Sequence, residues 1–172
     1  VVHLRSDGTV DEVLGSTQQL GGAAAQSDGT VYVPTPLGVT HLTEVAPDGT
    51  ASLVDLSLSF DITQLISSVV VDDVTDEVYI AVTDLGDVFT TKVYPLDNLG
   101  AANRPTFATF GGPPTTPNIN VFDVSNGVVY TPEADTIVRW LPDGTSEIVV
   151  GGGVALGDGG PAVDAQLAAP QS

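Results

Sequence analysis

Cysteine is absent from the 172 residues, so the chain holds neither a disulfide framework nor a thiolate metal site, and its redox compartment stays open. Basic residues are almost as scarce. Arg5, Lys92, Arg104 and Arg139 stand against 22 acids, 17 of them Asp, for a net charge of −18. Four scattered cations cannot offset repulsion from phosphate, which excludes nucleic acid as a partner and disfavours an anionic membrane surface. Histidine occurs only at His3 and His41, which are expected to be structural or surface residues, so with no cysteine a zinc site or a Ser/His/Asp triad has almost no support. No apolar run approaches the 18 residues of a membrane-spanning helix, and no charged-then-apolar leader is present, so no direct membrane insertion by this segment is expected.

What the chain does have is glycine (19), proline (12) and 42% hydrophobic residues, in a length that suits one domain with a sizeable core. That much Gly and Pro between short apolar runs points to β structure with frequent reversals. Much of the Asp falls in turns, where its carboxylate can accept hydrogen bonds from the amides that follow. The acidity reads as a solvated surface or, alternatively, as a specific cation-binding face.

Internal similarity organises the rest. VVHLRSDGTVDEVLGS (1–16) superposes on IVRWLPDGTSEIVVGG (137–152) at an offset of 136, with the DGT and flanking Val and Gly coincident. VTHLTEVAPDGTASLV (39–54) is a third copy, and KVYPLDNLGAA (92–102) a degenerate fourth with Asp97-Asn98 in its turn. Each is two apolar runs around Asp-Gly or Asp-Asn, a β-hairpin pattern. In Pro47-Asp48-Gly49 and Pro142-Asp143-Gly144 the proline presets φ at the first turn position and the glycine supplies φ > 0. Between these lies a second hairpin type, in which Tyr32, Tyr79 and Tyr130 recur at one position. Successive turns at Gly8, Gly49, Asn98 and Gly144 are 41, 49 and 46 residues apart. Four short strands per 45 or so residues is the pattern of a propeller blade.

The segment GDGGPAVDAQLAAP resembles the inter-blade loop of NHL-type six-bladed propellers. Gly157, Asp158, Gly159, Gly160, Pro161, Ala162, Ala165, Gln166, Leu167 and Pro170 match that pattern. The resemblance implies an all-β fold, a β-propeller of four-stranded antiparallel blades. Residues 1–172 then form one partial propeller domain. It comprises an outer C–D hairpin (about 1–20), blades at about 21–65, 66–117 and 118–150, and an interblade loop at 151–172. That is about three and a half blades, expected to be a fragment of a six-bladed parent, since the chain opens at Val1 without Met and stops where a strand should start. Pro161 is expected in the first position of a helical turn, with Ala162, Ala165 and Leu167 as its apolar side.

The residues indicate no cofactor outright. Related propellers of the gluconolactonase and regucalcin type hold calcium at their channel, and virginiamycin-lyase-like ones use magnesium and a histidine. By that resemblance Asp72, Asp73, Asp76, Asp123 and Asn126, near the turns of the second hairpin type, and Asp158 are candidate calcium ligands. Turn formation is the competing account of each. Trp140, alone on its strand, is a candidate surface contact, with core packing as the alternative, and the three tyrosines are expected in packing between blades. The expected function is a non-catalytic recognition or scaffold module, secreted or at the cell surface, whose partner is another protein or further blades. The alternatives are a divalent-cation-dependent hydrolase or lyase of the lactonase type, and a structural subunit joined to others through blade edges.

Overall fold

Valine, isoleucine and threonine dominate the runs between the turns, and their branched side chains favour a pleated backbone over a helix. The computed structural model of the chain describes residues 2–4, 10–12, 23–34, 41–56, 64–84, 89–98, 108–112, 123–133, 135–154 and 160–167. These are all-β: 14 strands and two short 3-10 turns, at Leu96–Asn98 and Ala162–Asp164. No helix among them is long and apolar enough to cross a membrane.

Strands β1 (Val2–Leu4) and β2 (Val10–Glu12) pair as a two-stranded hairpin. Three four-stranded antiparallel meanders follow. The first holds β3 (Ala24–Ala25), β4 (Val31–Pro34), β5 (His41–Val45) and β6 (Ala51–Asp55). The second holds β7 (Gln64–Val71), β8 (Val78–Asp84), β9 (Phe89–Pro95) and β10 (Ala108–Gly112). The third holds β11 (Asp123–Ser125), β12 (Val128–Glu133), β13 (Thr136–Trp140) and β14 (Ser146–Gly151). In each, strands adjacent in sequence are adjacent in the sheet. β7 begins at Gln64, ahead of the boundary expected at 66, because Gln64 and Leu65 pair with Asp84 and Thr83. The degenerate hairpin around Asp97-Asn98 is also wider than its sequence implied. The partner of β9 is β10, reached well beyond the 3-10 turn.

The second sheet is packed on both faces. Tyr32, Leu42 and Leu56 of the first meander and its exit meet Ile66, Val69, Val78, Ile80 and Val82 on one side. Tyr79, Ala81 and Val93 meet Val124 and Val129 of the third meander on the other, with Trp140 packed against the cluster. A strand buried on both faces loses its polar alternation, and β8 accordingly reads VYIAVTD with its first six residues all buried. Polar groups inside this sheet satisfy one another: Thr83 donates to the Ser67 hydroxyl at 3.0 Å and lies 2.9 Å from that of Thr91, linking three strands.

The DGT repeat has a local physical cause. At Ala46–Thr50 and Leu141–Thr145 a type I turn closes with glycine in the left-handed region, φ 86° at Gly49 and 83° at Gly144. The aspartate before each glycine accepts the amide of the threonine after it, at 2.8 Å for Asp48 and 2.9 Å for Asp143. The same geometry recurs at Asp28-Gly29-Thr30. The three residues of the motif thus divide the turn between them, since aspartate accepts, glycine reverses the chain, and threonine donates and starts the strand.

At the far end, Pro161 is the extended cap of the 3-10 turn rather than its first residue, and the turn buries none of its residues. This segment is held by a backbone bond, the Gly153 amide donating to the Ala165 carbonyl at 3.2 Å, and by the half-buried Leu167, whose side chain lies against Gly151. A Cβ at Gly153 would overlap the Asp164 carbonyl. Gly153→Ala is therefore expected to undock residues 160–167 while leaving the sheets in place. Amide exchange across the segment should accelerate about tenfold, roughly 1.4 kcal/mol of local protection; unchanged exchange would show that the segment is held elsewhere.

Candidate functional site

Asp72, Asp73 and Asp76 lie at the first hairpin turn of the second meander and Asn126 at that of the third, and the structure brings these two turns together with the first hairpin turn of the first meander. Asp72, the residue after β7, is fully buried. Its amide donates to the Glu77 carbonyl and its carbonyl accepts from Asp76, which closes a turn with Asp76 left-handed at φ 62°. The Asp72 carboxylate then faces four amides. Oδ1 accepts from Val74 (2.8 Å) and Thr75 (3.1 Å) of its own turn and from Asn126 (3.0 Å) of the third meander, and Oδ2 accepts from Gly127 at 2.6 Å. Asn126-Gly127 is a two-residue loop with both φ positive (52° and 71°), the conformation that Asn-Gly adopts readily, and it turns its two N–H groups toward Asp72. Burial pushes the Asp72 carboxyl up, but the four amides outweigh it and hold the group at about 2.

Asp76 makes the corresponding tie on the other side. Its carboxylate accepts from the Ser27 amide and hydroxyl, both at 2.8 Å, and its carbonyl accepts from Gln26 Nε2 at 2.7 Å. Three consecutive sheets are thereby joined turn to turn through two aspartates of the middle one.

The other candidates are less engaged. Asp73 is exposed. Asp123 is exposed and accepts from the Val124 amide beside it. Asn126 contributes its backbone, and Asp158 lies outside the described residues. Among the described residues no three His, Cys, Asp or Glu side chains are grouped so as to hold a metal ion. Trp140 is half-buried, and its Nε1 donates to the buried Thr131 hydroxyl at 2.8 Å, which ties the indole into the sheet. Tyr32 and Tyr79 are buried between sheets, whereas Tyr130, at the same repeat position on the third sheet, is half-buried. His41 pairs across strands with Asp55 at 3.4 Å, and Arg139 pairs likewise with Glu147.

A second polar feature occupies the opposite end of the middle sheet. A cavity of about 150 Å³ is lined by Gln64, Val82, Asp84, Thr90, Lys92 and Tyr94. Register places all six on the face turned toward the first sheet: Gln64 opposite Asp84, Asp84 opposite Thr90, and Val82 opposite Lys92. The inter-sheet core ends at the Val82 floor, and a polar row takes over. These residues were not among the sequence candidates. The signal was present in the parity of β9, where Thr90, Lys92 and Tyr94 share a face that an unbroken core would fill with aliphatic residues.

No protein-family model matches the sequence, and no curated protein does.

Proposed function

We propose that the stacked meanders are consecutive blades of an NHL-like β-propeller, six-bladed when whole, and that the domain is a non-catalytic recognition or scaffold module, secreted or at the cell surface. Three features support the propeller reading: the repeated four-strand meander, the packing of Tyr32 and Tyr79 between sheets, and the turn-to-turn ties. The partner is a protein or further blades.

The observation that carries the non-catalytic reading is the state of the turn carboxylates. Asp72 and Asp76, the acidic groups best placed to ligate a cation or move a proton, are occupied by amides and a hydroxyl of neighbouring sheets. Such an arrangement fixes sheets and leaves their loops to vary, which is how a rigid scaffold presents a binding surface.

Thermal unfolding in calcium, in magnesium and in chelator tests this. The midpoints are expected to agree within about 1 °C, whereas a site filled at 100 times its Kd would add about 2.7 kcal/mol and raise the midpoint by roughly 5–10 °C. A rise of that size would put the lactonase-like reading first.

A further inference from the structure

Asparagine followed by glycine occurs once in the chain, at Asn126-Gly127; the other four asparagines precede Leu, Arg, Ile or Val. The pair is chemically distinct because glycine has no Cβ to shield its backbone nitrogen from the carboxamide of the residue before it. It forms the loop between β11 and β12, where Asn126 is exposed. These are also the two residues whose amides Asp72 draws from the third meander, at 3.0 Å from Asn126 and 2.6 Å from Gly127.

We propose that Asn126-Gly127 is a self-modification site, converting through a succinimide to aspartate and isoaspartate, and that the Asp72 carboxylate is the lock that sets its rate. In the first step the Gly127 nitrogen attacks Asn126 Cγ. A C–N bond forms there, the bond from Cγ to the side-chain nitrogen breaks, and ammonia leaves carrying the proton of the Gly127 amide. Water then opens the ring at either carbonyl.

Two features of the folded loop oppose this step. Asn126 is left-handed, with φ at 52°. The ψ that accompanies it is about 47°, which sets the Gly127 nitrogen across the Cα–C bond from Cβ. Ring closure needs nitrogen and side chain on the same side and within reach. The Gly127 N–H, whose proton has to leave, is moreover committed to a short charge-assisted bond with Asp72 Oδ2. Conversion therefore waits on local opening of the loop, and opening breaks both bonds to Asp72.

The products oppose relocking. Either one adds a carboxylate to the residue whose amide holds the ionised Asp72. Isoaspartate also lengthens the main chain by a methylene between the two amides that Asp72 gathers. Loss of ammonia makes the step one-way, so the tie between the second and third meanders is released with age, whatever the domain binds.

To test this, the folded protein is held in mildly alkaline buffer while peptide mass spectrometry follows the amide-to-acid mass change at Asn126. The urea-unfolded chain is the unlocked reference. The parent is expected to convert roughly a hundredfold more slowly than that reference, and Asp72→Ala about tenfold faster than the parent. Asp72→Asn, which keeps one acceptor oxygen, is expected between them and carries the comparison should the alanine variant not fold. Leu42→Ala, a core loss in the first meander, weakens the fold without touching the loop and should stay within about twofold of the parent. Equal acceleration by Leu42→Ala would assign the protection to global stability, and a parent as fast as the reference would mean that nothing is locked. Slower conversion in Asp72→Ala or Asp72→Asn would make the carboxylate a base that promotes the attack. Each of these overturns the proposal. The converted protein, separated by anion exchange, is expected to unfold at lower urea than the parent; an unchanged midpoint overturns the release.

Discussion

Replacing Asp72 with alanine is expected to lower the unfolding free energy by about 3–5 kcal/mol, the range for leaving buried polar groups without their charged partner. Four amides converge on this carboxylate, two from its own turn and two from the next sheet. Removing it strands all four and unties the second sheet from the third. Asp72→Asn keeps the shape but turns an NH₂ toward one set of N–H donors, so an intermediate loss of about 2–3 kcal/mol is expected. Urea midpoints at neutral pH measure both.

Acid gives an independent readout. The folded group sits at about 2, below its ordinary 3.8. A depressed carboxyl contributes its full stability above the unfolded value and loses it as pH falls through the folded one. The window is therefore about pH 4 down to 2, and the loss is about 2 kcal/mol. Protonation of the other acids relieves self-repulsion over the same range. The difference between the parent and Asp72→Asn isolates the single group, and parallel acid curves for the two would refute the assignment.

Tyr79→Ala is expected to cost about 3–5 kcal/mol, and Tyr130→Ala about 1 kcal/mol, although the two hold the same place in the repeat. Tyr79 is 1% exposed between the second and third sheets, and its hydroxyl donates to Glu77 at 2.9 Å. Tyr130 lies on the far face of the third sheet, opposite Asp123 and Arg139, and is half-buried. Deleting the first opens a cavity between two packed sheets, whereas deleting the second removes partial cover. Tyr79→Phe, which keeps the ring and loses one bond to a surface acid, should cost no more than about 1 kcal/mol. Equal losses at positions 79 and 130 would show that the repeat position, not the covering sheet, sets the energy.

The turns were legible in the sequence because their chemistry is local. Aspartate, glycine and threonine act on atoms within two residues, so Asp48-Gly49-Thr50 carries its own explanation. Tyr32 and Tyr79 were legible as packing residues because repetition at one position of a strand reports a similar place in the sheet; Tyr130, at the same position, is only half-buried. The ties were not legible. Asp72 reaches Asn126 and Gly127 across 54 and 55 residues, and nothing in the stretch VVVDDVTDEV separates Asp72, fully buried, from the exposed Asp73 beside it. The cavity escaped for a different reason: β8 is buried on both faces, so its alternation is lost, and only the partner strand β9 kept a readable face.

Each strand of the meanders pairs with its neighbour in the chain, so every sheet can form from consecutive hairpins without waiting for a distant segment. Folds built this way gain speed from local closure, and their cooperativity must come from the few groups that reach further. Here those groups include two aspartates and the aliphatic and aromatic faces between sheets. An Asn-Gly loop can present both its N–H groups to Asp72 in only one alignment, so the carboxylate acts as a registration mark. Together with the Asp76 tie to the first meander, it couples three units able to collapse separately, which are therefore expected to unfold together.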